Sequence, residues 1–168
     1  SYRAESISQF HKSLSIFEER NVQTEIPITK AEIDVIVYNN FISIKTITGR
    51  NFEGVKLIWT VDKVKAKEFL DNYSLSCDIV LVQINWNNIG RFYYIPREVQ
   101  TEVFKKLGRT KYIKLPVEGT NPRGVEISTE GLMNLIEHKE TLKIPINWTK
   151  ENIDFKPFQR WLEFWQKD

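Results

Sequence analysis

Cysteine is nearly missing from this 168-residue chain: Cys77 is the only one, which excludes an intramolecular disulfide and a multi-cysteine zinc site and fits a reducing compartment. Histidine is almost as scarce. His11 and His138 stand too far apart for metal-ligand spacing, and both read as surface or packing residues. No glycine-rich phosphate loop, nucleophile elbow or zinc-binding histidine pair occurs, which narrows the enzyme classes open to the chain. No apolar run approaches the roughly 20 residues needed to span a bilayer, and the N-terminal residues lack an apolar signal core, so no membrane partner is expected. Nor is one charge in excess: 24 basic and 22 acidic residues leave +2, so any nucleic-acid surface has to come from local clustering.

What the chain has in quantity is apolar and aromatic surface, with five Trp, six Tyr and ten Phe inside a 41% hydrophobic content, enough for one good core and short for two. A single domain over residues 1–168 is therefore expected. Ile7, Phe10, Leu14 and Phe17 recur at helical spacing and predict an amphipathic helix over 4–20. Three stretches rich in Ile, Val and Thr follow, over 22–28, 32–38 and 41–47, the last two joined at Asn39-Asn40, a pair that tolerates positive φ and spells a tight hairpin. Residues 49–54, bracketed by glycines, read as a loop, and 55–59 as a strand or an approach to the next helix. Thr60 is placed to cap a helix to Tyr73, and the apolar run 79–84 predicts a central strand covered on both faces. Beyond it come a strand over 90–95, a helix over 96–107, a strand over 111–115, a helix capped by Ser128, a strand near Ile144 and Ile146, and a last helix over 157–167. The order amounts to an α/β fold with a mixed sheet flanked by helices.

Chemistry concentrates in the hairpin. With Asn39-Asn40 at its tip, Asp34 comes to stand opposite Lys45, on one face, with Cβ atoms about 5 Å apart. A carboxylate beside an ammonium suits metal-dependent hydrolysis, the first holding a hard cation and the second positioning or helping to deprotonate a water. The plain alternative is a cross-strand ion pair on a solvated face, worth about 0.2–1 kcal/mol. Strands as apolar as these belong to a covered sheet, however, and covered charges usually have a reason to be there.

Glu32-Ile33-Asp34-Val35-Ile36-Val37 followed by Ile42-Ser43-Ile44-Lys45-Thr46 resembles the active-site hairpin of the PD-(D/E)xK nucleases, a superfamily that includes many type II restriction enzymes and Holliday-junction resolvases. The resemblance covers residues 4–86, about half the chain, and implies a restriction-endonuclease-like core with residues 87–168 as an α+β extension for recognition and dimerisation. It further implies hydrolysis of a DNA phosphodiester with Mg²⁺, or Mn²⁺ in its place, held by Asp34 and the Ile44 carbonyl. Two departures stand out: Ile33 replaces the motif proline, and Ser43 stands where a second acid is usual. Some restriction enzymes with Ser-x-Lys take the missing carboxylate from the following helix, which makes Glu68 the candidate, with Glu53 behind it. Glu5 and Glu19 on the first helix, or Glu25 on the first strand, are further candidates for an assisting acid. A prokaryotic cytoplasm is the location this implies.

For DNA contact, Asn121 and Arg123 sit in a turn-rich loop and suit adenine and guanine edges, although both also belong to ordinary turn pairs. Lys105, Lys106, Arg109, Lys111 and Lys114 crowd one stretch and suit phosphates, or else a solvated helix end; Arg50 is placed to clamp a phosphate or to project into solvent. The aromatic run from Phe155 to Trp165 covers the core or forms a homodimer interface, and two active sites are what cutting both strands of a duplex requires. Sequence-specific restriction is the leading expectation. A resolvase or repair nuclease, and a non-catalytic DNA-binding module kept open by Ser43, are the rivals.

Overall fold

The computed structural model describes residues 22–26, 32–116 and 124–150. The predicted helices over 4–20 and 157–167, with Glu5, Glu19 and His11, and the loop residues Asn121 and Arg123 lie outside the described residues.

A six-stranded mixed sheet in the order β1-β2-β3-β5-β6-β9 forms the centre. Its strands are β1 (Val22–Gln23), β2 (Val35–Val37), β3 (Asn40–Thr48), β5 (Asp78–Ile84), β6 (Asn88–Ile95) and β9 (Leu142–Trp148). Neighbouring strands run antiparallel except β3 and β5, which are parallel. Parallel neighbours need a crossover, and residues between 48 and 78 supply it through β4 (Val55–Ile58) and helix α1 (Lys63–Asn72). Helix α2 (Arg97–Leu107), the turn α3 (Arg109–Tyr112) and helix α4 (Thr129–Glu137) complete the helices, and β7 (Ile113–Lys114) and β8 (Val125–Ile127) join β4 in a three-stranded sheet of order β4-β8-β7.

Alternation along the central strands sends side chains into two separate apolar clusters. Ile42 and Ile44 of β3 join Val35, Val80 and Val82 on one face; Ile47 joins Ile79, Leu81, Val55, Leu57 and the helices on the other. β5 is buried along both faces, as its unbroken apolar run predicts.

Four local expectations change. Asp62, rather than Thr60, caps α1: its Oδ1 accepts from the amides of Val64 at 2.8 Å and Lys65 at 3.2 Å, while Thr60 Oγ1 accepts from the Asp62 amide. The strand read over 111–115 is a helical turn followed by the two-residue β7, because the Arg109 guanidinium donates to the Leu70 and Tyr73 carbonyls at 2.5 and 3.0 Å and anchors this turn to the C-terminal end of α1. Of the strand expected over 22–28, described as far as residue 26, pairing is seen at Val22 and Gln23. The fourth change is the hairpin register.

Candidate active site

The hairpin turns at Tyr38-Asn39, with φ of +48° and +65°, and not at Asn39-Asn40. Two consecutive positive φ values are the signature of a type I′ turn, whose twist matches that of the strands. Val37 then pairs with Asn40 and Val35 with Ile42, so the register sits two residues away from the expected one. The pairing ends at Val35 with Ile42; just beyond it the Asp34 backbone amide donates to the Ile42 carbonyl at 2.9 Å, and the Asp34 carboxylate meets Ser43. A shift of two preserves the face, so Asp34, Ser43 and Lys45 still project to the same side, Lys45 on the diagonal. Among the described residues Asp34 and Lys45 form no direct ion pair with each other; the pairs seen are Lys67 with Asp71 and His138 with Glu102.

Asp34 ties the two strands together through its side chain. Its Oδ2 accepts from the Ile44 amide at 2.7 Å and from the Ser43 hydroxyl at 3.3 Å, continuing the ladder past the end of β2. The N–H and C=O of a strand residue point the same way, so the Ile44 carbonyl also faces the Asp34 edge. One carboxylate and one backbone carbonyl thus converge beside Lys45.

The fold also brings in a residue that sequence reasoning passed over: Glu32, Ser43 and Lys45 all line one small cavity. Burial raises the Glu32 carboxyl above its ordinary range, opposed by the charge of Lys45 and by the Ser76 hydroxyl, which donates to Oε2 at 3.4 Å. The same surroundings push the Cys77 thiol up to about 11, burial first and the Glu32 charge second. The signal for Glu32 was its place two residues before Asp34, on the same face.

In front of Lys45 opens a cleft of about 1020 Å³ walled by the C-terminal half of β3, the 49–54 loop and β4. Lys45, Arg50, Lys56 and Lys65 line it against Glu53 and Glu126, giving a basic wall in a chain of almost balanced charge. Lys56 lies over the exposed Trp59 ring, 3.5 Å from its centroid. Lys56 points outward because it alternates with the buried Val55 and Leu57, a pattern too short to stand out in the sequence.

The remaining expected site residues are scattered. Glu68 is exposed on α1, roughly opposite the buried Ala66 and Leu70, and lines neither the cleft nor the small cavity, whereas Glu53 lines the cleft. Asp34 is half-buried and is itself not part of the cleft wall. Glu25 and Lys111 are exposed away from the cleft wall. Arg109 is committed to the α1 carbonyls, Lys106 donates to Asn134 Oδ1 at 2.9 Å, and Tyr112 is fully buried, so the basic stretch is not one phosphate-facing row. Among the described residues no group of three or more His, Cys, Asp or Glu side chains is placed to hold a metal, and no helix is long and apolar enough to cross a membrane.

No curated protein sequence matches the chain. A solved structure described as a restriction endonuclease in complex with substrate DNA is similar to it, with 50% sequence identity and a TM-score of 0.87 over 92% of this chain and 74% of that one. The mixed sheet with its flanking helices is therefore a restriction-endonuclease fold. The model of the family described as restriction endonuclease ThaI matches residues 1–167, and the chain belongs to that family.

Proposed function

We propose that this protein is a Mg²⁺-dependent type II restriction endonuclease of the PD-(D/E)xK kind, cutting duplex DNA at a specific sequence. The observation that carries the reading is the Asp34–Ser43–Lys45 face, with the Asp34 carboxylate fixed to the Ile44 amide at 2.7 Å, beside a basic cleft. Membership of a restriction endonuclease family favours restriction over junction resolution, and the similar structure with substrate DNA supports DNA as the substrate.

Restriction endonucleases generally use divalent metal ions. The donor set here is all oxygen: the Asp34 carboxylate, the Ile44 carbonyl that shares its edge, and Glu53 as the carboxylate on the cleft wall. Such a set fits a hard cation that keeps several of its own waters, Mg²⁺ first and Mn²⁺ in its place. When bound, the ion would act as a Lewis acid toward a phosphate oxygen and acidify a water. Lys45, at the wall, orients the attacking water and offsets the charge that grows on the phosphate. Ser43, whose hydroxyl donates to Asp34, keeps the carboxylate turned to the Ile44 edge. Arg50, Lys56 and Lys65 attract the DNA backbone without reading sequence. Base reading falls to Asn121 and Arg123. Two copies acting as a homodimer would cut the two strands, in the cytoplasm of a prokaryotic cell.

The test is incubation of plasmid DNA with the protein and Mg²⁺, alongside Lys45→Ala and Asp34→Ala. Discrete bands from the parent and intact plasmid from both variants are expected. Equal cutting by Lys45→Ala defeats the site assignment, and smearing in place of bands defeats sequence specificity.

A further inference from the structure

Lys45 lies between two spaces. In front is the open cleft; behind is a small cavity of about 10 Å³, the size of roughly one water molecule, whose walls include Glu32, Ser43, Tyr73, Ser76 and Gln100. Lys45 lines both spaces, but Glu32 lines only the smaller one. We propose that Glu32 is a positioning residue for cleavage: from the cavity behind Lys45, its carboxylate holds the Lys45 ammonium at the cleft wall. This rests on the reading of Lys45 as the residue that orients the attacking water.

Four observations converge on it. Glu32 and Lys45 line the same small cavity, together with Ser43, whose hydroxyl donates to Asp34. Its two oxygens are in different states: Oε2 accepts from the Ser76 hydroxyl at 3.4 Å, while Oε1 is fully buried and takes no hydrogen bond among the described residues. A buried carboxylate oxygen is costly unless a charge compensates it, and among the described residues lining this cavity Lys45 alone carries a positive one. Burial and the Lys45 charge pull the Glu32 carboxyl in opposite directions, which places the two within electrostatic reach.

The consequence follows from the side chains themselves. Lysine carries a compact charge on a flexible four-carbon stem, and a half-buried counter-charge restricts where that charge sits, more strongly in a poorly solvated cavity than in water. Glu32, behind Lys45 and away from the cleft, acts through it and not on DNA or metal. The opening residues of the hairpin would then work as a unit, with Asp34 fixing the β3 backbone at Ile44 and Glu32 fixing the side chain of Lys45 next to it.

Single-turnover cleavage of duplex DNA at saturating Mg²⁺ tests this in the parent, Glu32→Gln and Lys45→Ala, with DNA affinity measured in Ca²⁺ and Mg²⁺ titrated against rate. Glu32→Gln is expected to cut about 10- to 100-fold more slowly, the range for a group that orients a working one. Its DNA affinity and half-saturating Mg²⁺ should remain parental, a split that loss of fold or of a metal ligand does not give. A parental rate overturns the proposal, and so does a rate restored by more Mg²⁺, which makes Glu32 a metal ligand. If Glu32→Gln does not fold, Glu32→Asp keeps the charge and shortens its reach: an intermediate rate is expected, and a parental one counts against the proposal. Lys45→Ala separates the two levels. Parental cutting by that variant defeats the site itself, whereas an inactive Lys45→Ala beside a fully active Glu32→Gln defeats only the positioning role.

Discussion

Asp34 ties two strands together in this structure and carries the proposed metal-binding role, and two substitutions separate the bond from the role. Its Oδ2 is the acceptor for the amide of Ile44, a residue only 6% exposed, and also takes the Ser43 hydroxyl, itself 1% exposed. Asp34→Ala leaves both donors without that acceptor. A hydrogen bond to a charged group contributes about 1.5–3 kcal/mol, and an orphaned buried donor costs a similar amount, so a loss of about 2–3 kcal/mol is expected. For a chain of this size, that lowers the melting temperature by roughly 4–12 °C. Asp34→Asn has the same shape and keeps a carbonyl oxygen that can accept from Ile44, so it should lose about 1 kcal/mol or less, the difference between a charged and a neutral acceptor. Cleavage should respond differently: neither variant keeps the anionic carboxylate, so neither should cut. Urea denaturation and single-turnover cleavage on the same preparations read the two effects apart. Parental stability in Asp34→Ala would refute the strand-tying bond, and parental cutting by Asp34→Asn would refute the catalytic role.

Three more outcomes are expected. Arg109→Ala, which frees the Leu70 and Tyr73 carbonyls at the end of α1, should lower stability by about 1–3 kcal/mol in urea while leaving DNA affinity within about twofold; a large affinity loss would return Arg109 to the phosphate-binding residues. Gly90→Ala should be strongly destabilising, because a Cβ there meets the Gln83 carbonyl and the Trp148 indole; a melting temperature equal to the parent's would contradict the β5–β6–β9 packing. The Cys77 thiol, raised to about 11 from 9.0, stays protonated in the fold where the unfolded chain loses its proton, so stability should fall between about pH 9 and pH 11. Cys77→Ala should flatten that slope in urea titrations at pH 8.5 and 10.5, with Tyr73 and Tyr112, both raised by burial, keeping part of it; an unchanged slope would show that Cys77 does not titrate with folding.

Much of this protein is written locally. Ser128 caps α4, as its place before an apolar helical stripe predicts: its hydroxyl accepts from the Gly131 amide at 2.9 Å, with Leu132, Leu135 and Ile136 buried behind. The run 79–84 reads as a covered central strand, and it is one. Alternation also put Asp34, Ser43 and Lys45 on one face. What alternation could not supply was the register. A pattern of period two looks identical after a slip of two residues, so Val35 and Val37 meet the same apolar face with the turn at Tyr38-Asn39 or at Asn39-Asn40. Only the assembled sheet chose between them, and with that choice Ser43 came to donate to Asp34. The same limit hid the second sheet: β4, β7 and β8 have four, two and three residues, and strands that short are held by their neighbours more than by their own pattern. The basic cleft is likewise tertiary, because Lys45, Arg50, Lys56 and Lys65 come from β3, a loop, β4 and α1, and only the crossover between two parallel strands brings them to one wall.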